Sequence, residues 1–451
     1  MIKRRRAHTA GRPSRLESTL FSLSKIVGLV VRPLVLLYFL RTGSTSLAHD
    51  FSLLLTATAS SFIILNNQNF RHAYQYFLER GSENGVRGLG GRSIFSTYVS
   101  GTFTHILCFI AVAAAVLWVW IGRLDLFLIA LVLIVIEKYF DDDQRVLVYK
   151  RRYYQWILNF SLRVIVPSLA LILAYTLFRV ESASIYVAVA LLSAGFYVGV
   201  FQRQFARLSI KSIAHDVRKG WPEFFRSYFI QYREELFIAQ IWAFLTANVI
   251  IVDRFFINAT NPLMFSEYIF AINVANTVQA FHNLGYVSFR RPELLKSSTS
   301  VIKAEFAPLN WLLPLALTSF VLVGCLAADA LGYPLSQLDA SLLVAISLLY
   351  FLHAVSLVAK EMAFWRLKRS VLLAQECVVF LFPISVYLLG YTDPLIIVLA
   401  TCAGVFIRLV LLILLAHLAS KPGSSLRISP VATAPSRPSG RERQSAKAQR
   451  P

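Results

Sequence analysis

Arg32 stands inside a long apolar stretch, ten residues from one end and eight from the other, with Pro33 beside it. An arginine at that depth of a membrane helix costs about 2.5–3.5 kcal/mol on insertion scales, so its head must face protein or water. Pro33 removes a backbone hydrogen bond and lets the helix bend. Amides gather elsewhere: Asn66, Asn67, Gln68 and Asn69 in a row, Asn248, then Asn273, Asn276, Gln279 and Asn283. At 100° per residue the last four lie within about 120° on one helix face. A guanidinium in a hydrated, low-dielectric cavity binds phosphate or carboxylate by charge-assisted, bidentate contacts. Amides suit hydroxyl-rich cargo, although they also join helices through interhelical hydrogen bonds. Of these, Arg32, Asn66, Asn67, Asn248, Asn273, Asn276, Gln279 and Asn283 are the expected substrate-binding set, with no catalytic residue among them. Asp253 and Arg254 read either as a gate or as an ion pair at a rim. Arg163 and Arg408 are further candidates that have internal partners available in Glu137 or Glu376.

The elements that must hold these groups are membrane helices. Hydrophobic residues make up 57% of the 451 and charged residues 15%, against roughly 25% charged in soluble domains. Mean hydropathy is +0.60. Twelve apolar segments have spanning character: 22–40, 51–70, 97–120, 124–140, 156–178, 183–202, 236–252, 265–287, 309–327, 339–359, 370–390 and 394–418. The expected fold is therefore all-α and polytopic, with six helices in 22–202 and six in 236–418. The basic tail 1–21 precedes an apolar run too long for a cleaved signal peptide. Between the halves, 203–235 reads as a cytoplasmic amphipathic linker. The Pro-, Ser- and Arg-rich tail 419–451 cannot bury a core and reads as disordered.

Of the 45 Lys and Arg residues, 36 fall in one set of alternate loops and tails and four in the other, with five inside the spans. By the positive-inside rule both termini face the cytoplasm. That distribution also assigns the net charge of +21 to the anionic leaflet rather than to nucleic acid. The longest outward loop, 253–264, is too short for an extracytoplasmic catalytic domain. The other motifs lead away from enzymes and cofactors. Asp141-Asp142-Asp143 reads as a solvated cytoplasmic loop. The stretch GVRGLGGRS lacks the GKS/GKT of a phosphate loop and follows no strand. The four cysteines have neither disulfide nor zinc spacing and read as small packing residues, and His353 and His417 read as packed or interfacial.

A shift of 217 residues lays Asp50-Phe51 on Glu267-Tyr268 and Asn66 on Asn283. With six helices per half the two repeats run parallel, an arrangement that encloses a central pathway in several transporter classes.

Two stretches carry a resemblance. One is PLVLLYFLRTGSTSLAHDF, from Pro33 to Phe51; the other runs from Asn248 to Leu294, with Asp253 ending a helix and Glu267-Tyr268 opening the next. Both are similar to the polysaccharide and oligosaccharide flippases of the multidrug/oligosaccharidyl-lipid/polysaccharide exporter superfamily. The chain departs from that family's pattern at His49-Asp50, at Ser266-Glu267 and at Leu37, as a divergent member would. The resemblance implies two lobes around a cavity open alternately to each side of a bacterial cytoplasmic membrane. It also implies a polyprenyl-pyrophosphate-linked glycan as cargo, and polysaccharide-assembly proteins as possible partners. The chain is then a flippase in surface-polysaccharide biosynthesis, without cofactor, metal or nucleic acid. The alternatives are a small-solute transporter of the major-facilitator type, or a scaffold or glycosyltransferase in a glycan assembly complex.

Overall fold

The computed structural model describes residues 15–65, 94–149, 152–201, 210–231, 237–294, 300–330 and 338–420, together with 233, 424 and 426. Asn66 and Asn67, the outermost parts of both tails and GVRGLGGRS lie outside the described residues. Among the described residues the secondary structure is helical, without strands.

The helices run in chain order as α1 (Arg15–Arg41), α2 (Thr45–Leu65), α3 (Ile94–Ile121), α4 (Leu124–Tyr149), α5 (Tyr153–Phe178) and α6 (Ser184–Phe201). Then follow α7 (Ile210–Phe225), α8 (Ala239–Asn248), α9 (Val252–Thr260), α10 (Phe265–His282), α11 (Ser288–Leu294) and α12 (Val301–Glu305). The last four are α13 (Pro308–Ala330), α14 (Ala340–Arg366), α15 (Arg369–Leu388) and α16 (Pro394–Ala419). Among the described residues, eight are long and apolar enough to cross a membrane, or nine if the bent pair α8 and α9 forms a single span. The expected spans outside that set are α1, α4 and α10, and each carries charged or amide groups within its length.

Helices α1–α6 pack mainly on one another, and α8–α16 do the same; α1 and α2 meet α10, and α2 meets α8. One apolar core joins Leu36, Phe39, Phe51 and Tyr186 from the first set to Phe265, Tyr268 and Tyr350 from the second. Outward faces stay apolar, as at Leu192, Phe320 and Leu388, which are 73–78% exposed. A surface of that kind is expected where lipid is the solvent.

Three expectations need correction. The loop expected at 253–264 is mostly helix, because α9 continues the chain at 49° to α8 after a break at 249–251. Asp253 and Arg254 tolerate this because tyrosines on neighbouring helices take up their polar heads. The Asp141–Asp143 segment is not a solvated loop either, since α4 runs on to Tyr149. Asp143 is buried and accepts hydrogen bonds from Asn159 Nδ2 and Tyr197 Oη, both at 2.8 Å, so α5 and α6 pin the end of α4. The cysteines, finally, are free but not uniformly packed: Cys325 and Cys402 are buried, Cys108 is half-buried and Cys377 is exposed.

Candidate functional site

Arg32 projects from α1 toward Glu137 of α4, and its Nη2 donates to Oε1 at 2.7 Å; the same nitrogen lies 3.4 Å from the Tyr186 hydroxyl of α6. Arg163 of α5 reaches the other carboxylate oxygen, with Nε 2.5 Å from Oε2 and Nη2 against the same atom. Its Nη1 donates to Gln144 Oε1 at 3.2 Å. One carboxylate from α4 therefore holds two guanidiniums, and the centre carries a net positive charge. Glu137 and Gln144 share a face of α4 because seven residues make two turns.

Two local irregularities shape this centre. Arg163 lies in a π-helical turn, Ser161–Ile165, and Asn283 begins another, Asn283–Val287, at the end of α10. Such wide turns recur at functional sites because they rotate side chains off the regular helical face. Gly28 of α1 has no room for a larger residue, since an added Cβ would sit 2.7 Å from Phe160 Cζ. Phe160 is stacked on Trp156, with centroids 5.5 Å apart and planes 5° apart, so the glycine lets α1 close on an aromatic wall.

Gly28, Arg32, Gln144, Trp156, Arg163 and Asn283 are among the residues that line a cavity of about 360 Å³. Its buried polar atoms without a partner are donors, while the exposed Asn283 amide offers both a donor and an acceptor. Arg32 Nε and Gln144 Nε2 are buried with no acceptor. Because Gln144 Oε1 is taken by Arg163, its amide nitrogen is the atom left over. Glu137 is only 7% exposed, whereas Arg32 and Arg163 are 30% and 18% exposed, so the positive groups face the space and the carboxylate sits behind them.

On the far side of α1 lies a second, apolar hollow of about 370 Å³. Val30, Phe270, Val274, Phe281, Phe320 and Gly324 are among its lining residues. Val30 is about 200° round the helix from Gly28, and Phe281 is one residue from Ala280 of the polar cavity. A cationic cavity and an apolar hollow thus flank a single seam between α1 and α10.

The other sequence candidates divide. Arg32 and Asn283 share the polar cavity. Asn273, Asn276 and Gln279 are half-buried on α10 and do not line it, although Gln279 Oε1 is buried without a partner. Asn248 joins helices: its Oδ1 accepts from Ser60 Oγ, and its Nδ2 donates to the Ser60 carbonyl at 3.3 Å and the Phe244 carbonyl at 2.9 Å. Asp253 and Arg254 are enclosed rather than set at a rim, and their side-chain hydrogen bonds go to tyrosines. The Tyr268 hydroxyl donates to Asp253, and Arg254 Nη2 donates to the Tyr350 hydroxyl at 2.9 Å. Arg408 has taken the internal partner open to it, Glu376, at 3.1 Å, and also contacts His353 and Ser356.

Gln144 and the apolar hollow had not been singled out. The spacing of Glu137 and Gln144 is the one sequence signal that favours the former; the hollow is made of ordinary lipid-type residues and gives none. Among the described residues no cluster of His, Cys, Asp and Glu is arranged to hold a metal ion. Set against protein-family models, curated proteins and solved structures, the chain matches none.

Proposed function

We propose that the chain translocates a lipid-linked oligosaccharide or polysaccharide repeat unit across a bacterial cytoplasmic membrane, by alternating access of two six-helix lobes with both termini in the cytoplasm. The observation that carries this reading is the seam between α1 and α10, with a donor-rich cationic cavity on one side and an apolar hollow on the other. An amphiphile with a phosphate head and a hydrocarbon tail presents the complementary pair of surfaces. Arg32 and Arg163 would take the phosphate, with Gln144 and Asn283 beside them. The apolar hollow would take the first units of the tail.

The volume restricts what sits inside. A space of about 360 Å³ admits a phosphate-bearing headgroup and little more. The glycan would extend out of the cavity, past the face of α10 that carries Asn273, Asn276 and Gln279. The same volume favours a second reading, a secondary transporter of a small anionic solute. The apolar hollow has no use in that reading.

The test is a deletion strain complemented with wild type, Arg32→Ala or Arg163→Ala, from which lipid-linked saccharide is extracted. Under the flippase reading, deletion accumulates finished units on the cytoplasmic side and neither variant clears them. Unchanged lipid-linked intermediates in the deletion strain would sink that reading and make anion uptake the next assay.

A further inference from the structure

The polar cavity contains its own anion. Glu137 occupies the guanidiniums that a bound phosphate would need, and it does so unequally. Arg163 is held through Nε and Nη2 on one carboxylate oxygen and through Nη1 on Gln144. Arg32 touches the carboxylate through Nη2 alone, leaves Nε without an acceptor, and is the more exposed of the two. The Tyr186 hydroxyl at 3.4 Å is its only other partner among the described residues. Losing the Arg32 contact would leave Glu137 still neutralised by Arg163, so no uncompensated charge would stay buried. Loss of Arg163 would strip away most of the carboxylate's donors. The arrangement has one fixed cation and one that can move.

We propose that Glu137 is the resident counter-anion of this cavity: it holds Arg32 while the cavity is empty and yields that guanidinium to the phosphate of an entering cargo, while Arg163 keeps the carboxylate neutralised. The inference rests on the reading of the cavity as a phosphate-headgroup site. It adds a residue that sets affinity and release rather than one that only lines the space. A carrier that exposes bare guanidiniums in a low-dielectric cavity would bind phosphate too tightly to let it go. A carboxylate poised to retake Arg32 provides the competing interaction that discharges cargo on the far side. It also meets the desolvation cost of an empty, charged cavity, which would otherwise fall on the two arginines alone.

The experiment uses the full chain in lipid nanodiscs and inorganic pyrophosphate as the probe, with affinity and dissociation rate measured for each variant. Glu137→Gln removes the competing charge and keeps the shape. It is expected to bind pyrophosphate about tenfold or more tightly than wild type, the size of one charge-assisted hydrogen bond. Dissociation should slow in proportion, and clearance of lipid-linked saccharide in cells should fall despite the tighter binding. Glu137→Asp keeps the charge but draws it back by one methylene, and should fall between Gln and wild type. This variant reads the proposal even if Glu137→Gln fails to reach the membrane. Equal or weaker binding by both Glu137 variants, with binding still lost in Arg32→Ala, would overturn the counter-anion role and leave the headgroup site standing. If wild type binds no pyrophosphate and Arg32→Ala clears lipid-linked saccharide normally, the headgroup reading fails and this inference fails with it.

Discussion

Among the described residues, the arginine–glutamate centres at Glu137 and Glu376 are built from the same groups and finished differently. Around Glu137 the arginines are 30% and 18% exposed and look into a cavity; around Glu376, Arg408 is 2% exposed and the carboxylate is fully enclosed. Glu376 accepts from Arg408 Nη1 at 3.1 Å and from the Thr246 hydroxyl at 3.0 Å, while Arg408 Nη2 lies 3.3 Å from both His353 Nδ1 and Ser356 Oγ. Those contacts tie together α8, α14, α15 and α16. The difference shows that a charge inside the membrane is not in itself a sign of binding. Arg32 and Arg408 each leave Nε without an acceptor, so what separates the two centres is that the first lines a cavity and the second is enclosed.

The largest expected effect breaks the sealed centre. Glu376→Ala leaves Arg408 buried without its carboxylate, and loss of one partner of such a pair costs about 3–5 kcal/mol. The variant should melt far below wild type in a detergent thermal-denaturation assay, or fail to accumulate in the membrane. Arg32→Ala should barely move the same melting curve, because Glu137 retains Arg163 and the arginine side chain is part-exposed. Similar losses from the two substitutions would erase the distinction between a structural centre and a binding one.

The glycines sharpen the comparison at a smaller scale. A Cβ on Gly404 of α16 would come 2.8 Å from the Val379 carbonyl oxygen of α15, a backbone atom that cannot step aside. Overpacking of this kind costs about 1–3 kcal/mol, so Gly404→Ala should lower the melting temperature and leave pyrophosphate affinity unchanged. At Gly28 the obstacle is the far edge of the Phe160 ring, which can tilt. Gly28→Ala should therefore cost less stability yet alter the cavity that Phe160 lines, and appear in the affinity measurement. An affinity change at Gly404 with none at Gly28 would reverse the assignment.

Much of this architecture was legible in the sequence, and the reason is physical. Long apolar runs such as 394–418 have no alternative to helix in a bilayer, so their positions follow from composition. Arg32 stood out because its charge is costly at that depth. Arg163 and Glu137 stood out as a possible pair but not as partners of Arg32, because the three meet only through the packing of α1, α4 and α5, and the π turn that carries Arg163 leaves no mark in SLRVI. The break between α8 and α9 was hidden for a similar reason. Val249, Ile250 and Ile251 contain neither glycine nor proline, and the bent pair is tied from outside by Glu376, Ser60, Tyr268 and Tyr350, the partners of Thr246, Asn248, Asp253 and Arg254 on other helices. Polar residues at 273, 276 and 279 said nothing about which neighbour their side of α10 would meet.

A third ionic centre calibrates the other two. Arg123, between α3 and α4, is 52% exposed and donates to Asp50 at 2.9 Å and to Asp125 at 2.8 Å. Its contacts are as short as those of Arg32, but solvent screens them and two mobile side chains must be ordered to make them. Pairs of that kind often contribute nothing measurable. Arg123→Ala should leave the melting temperature within experimental scatter, at low salt and at high salt alike. If it instead destabilises the chain as much as Glu376→Ala does, then geometry alone, rather than burial and access to a cavity, would rank the ionic centres. The reason for setting Glu137 apart as a binding site would go with it.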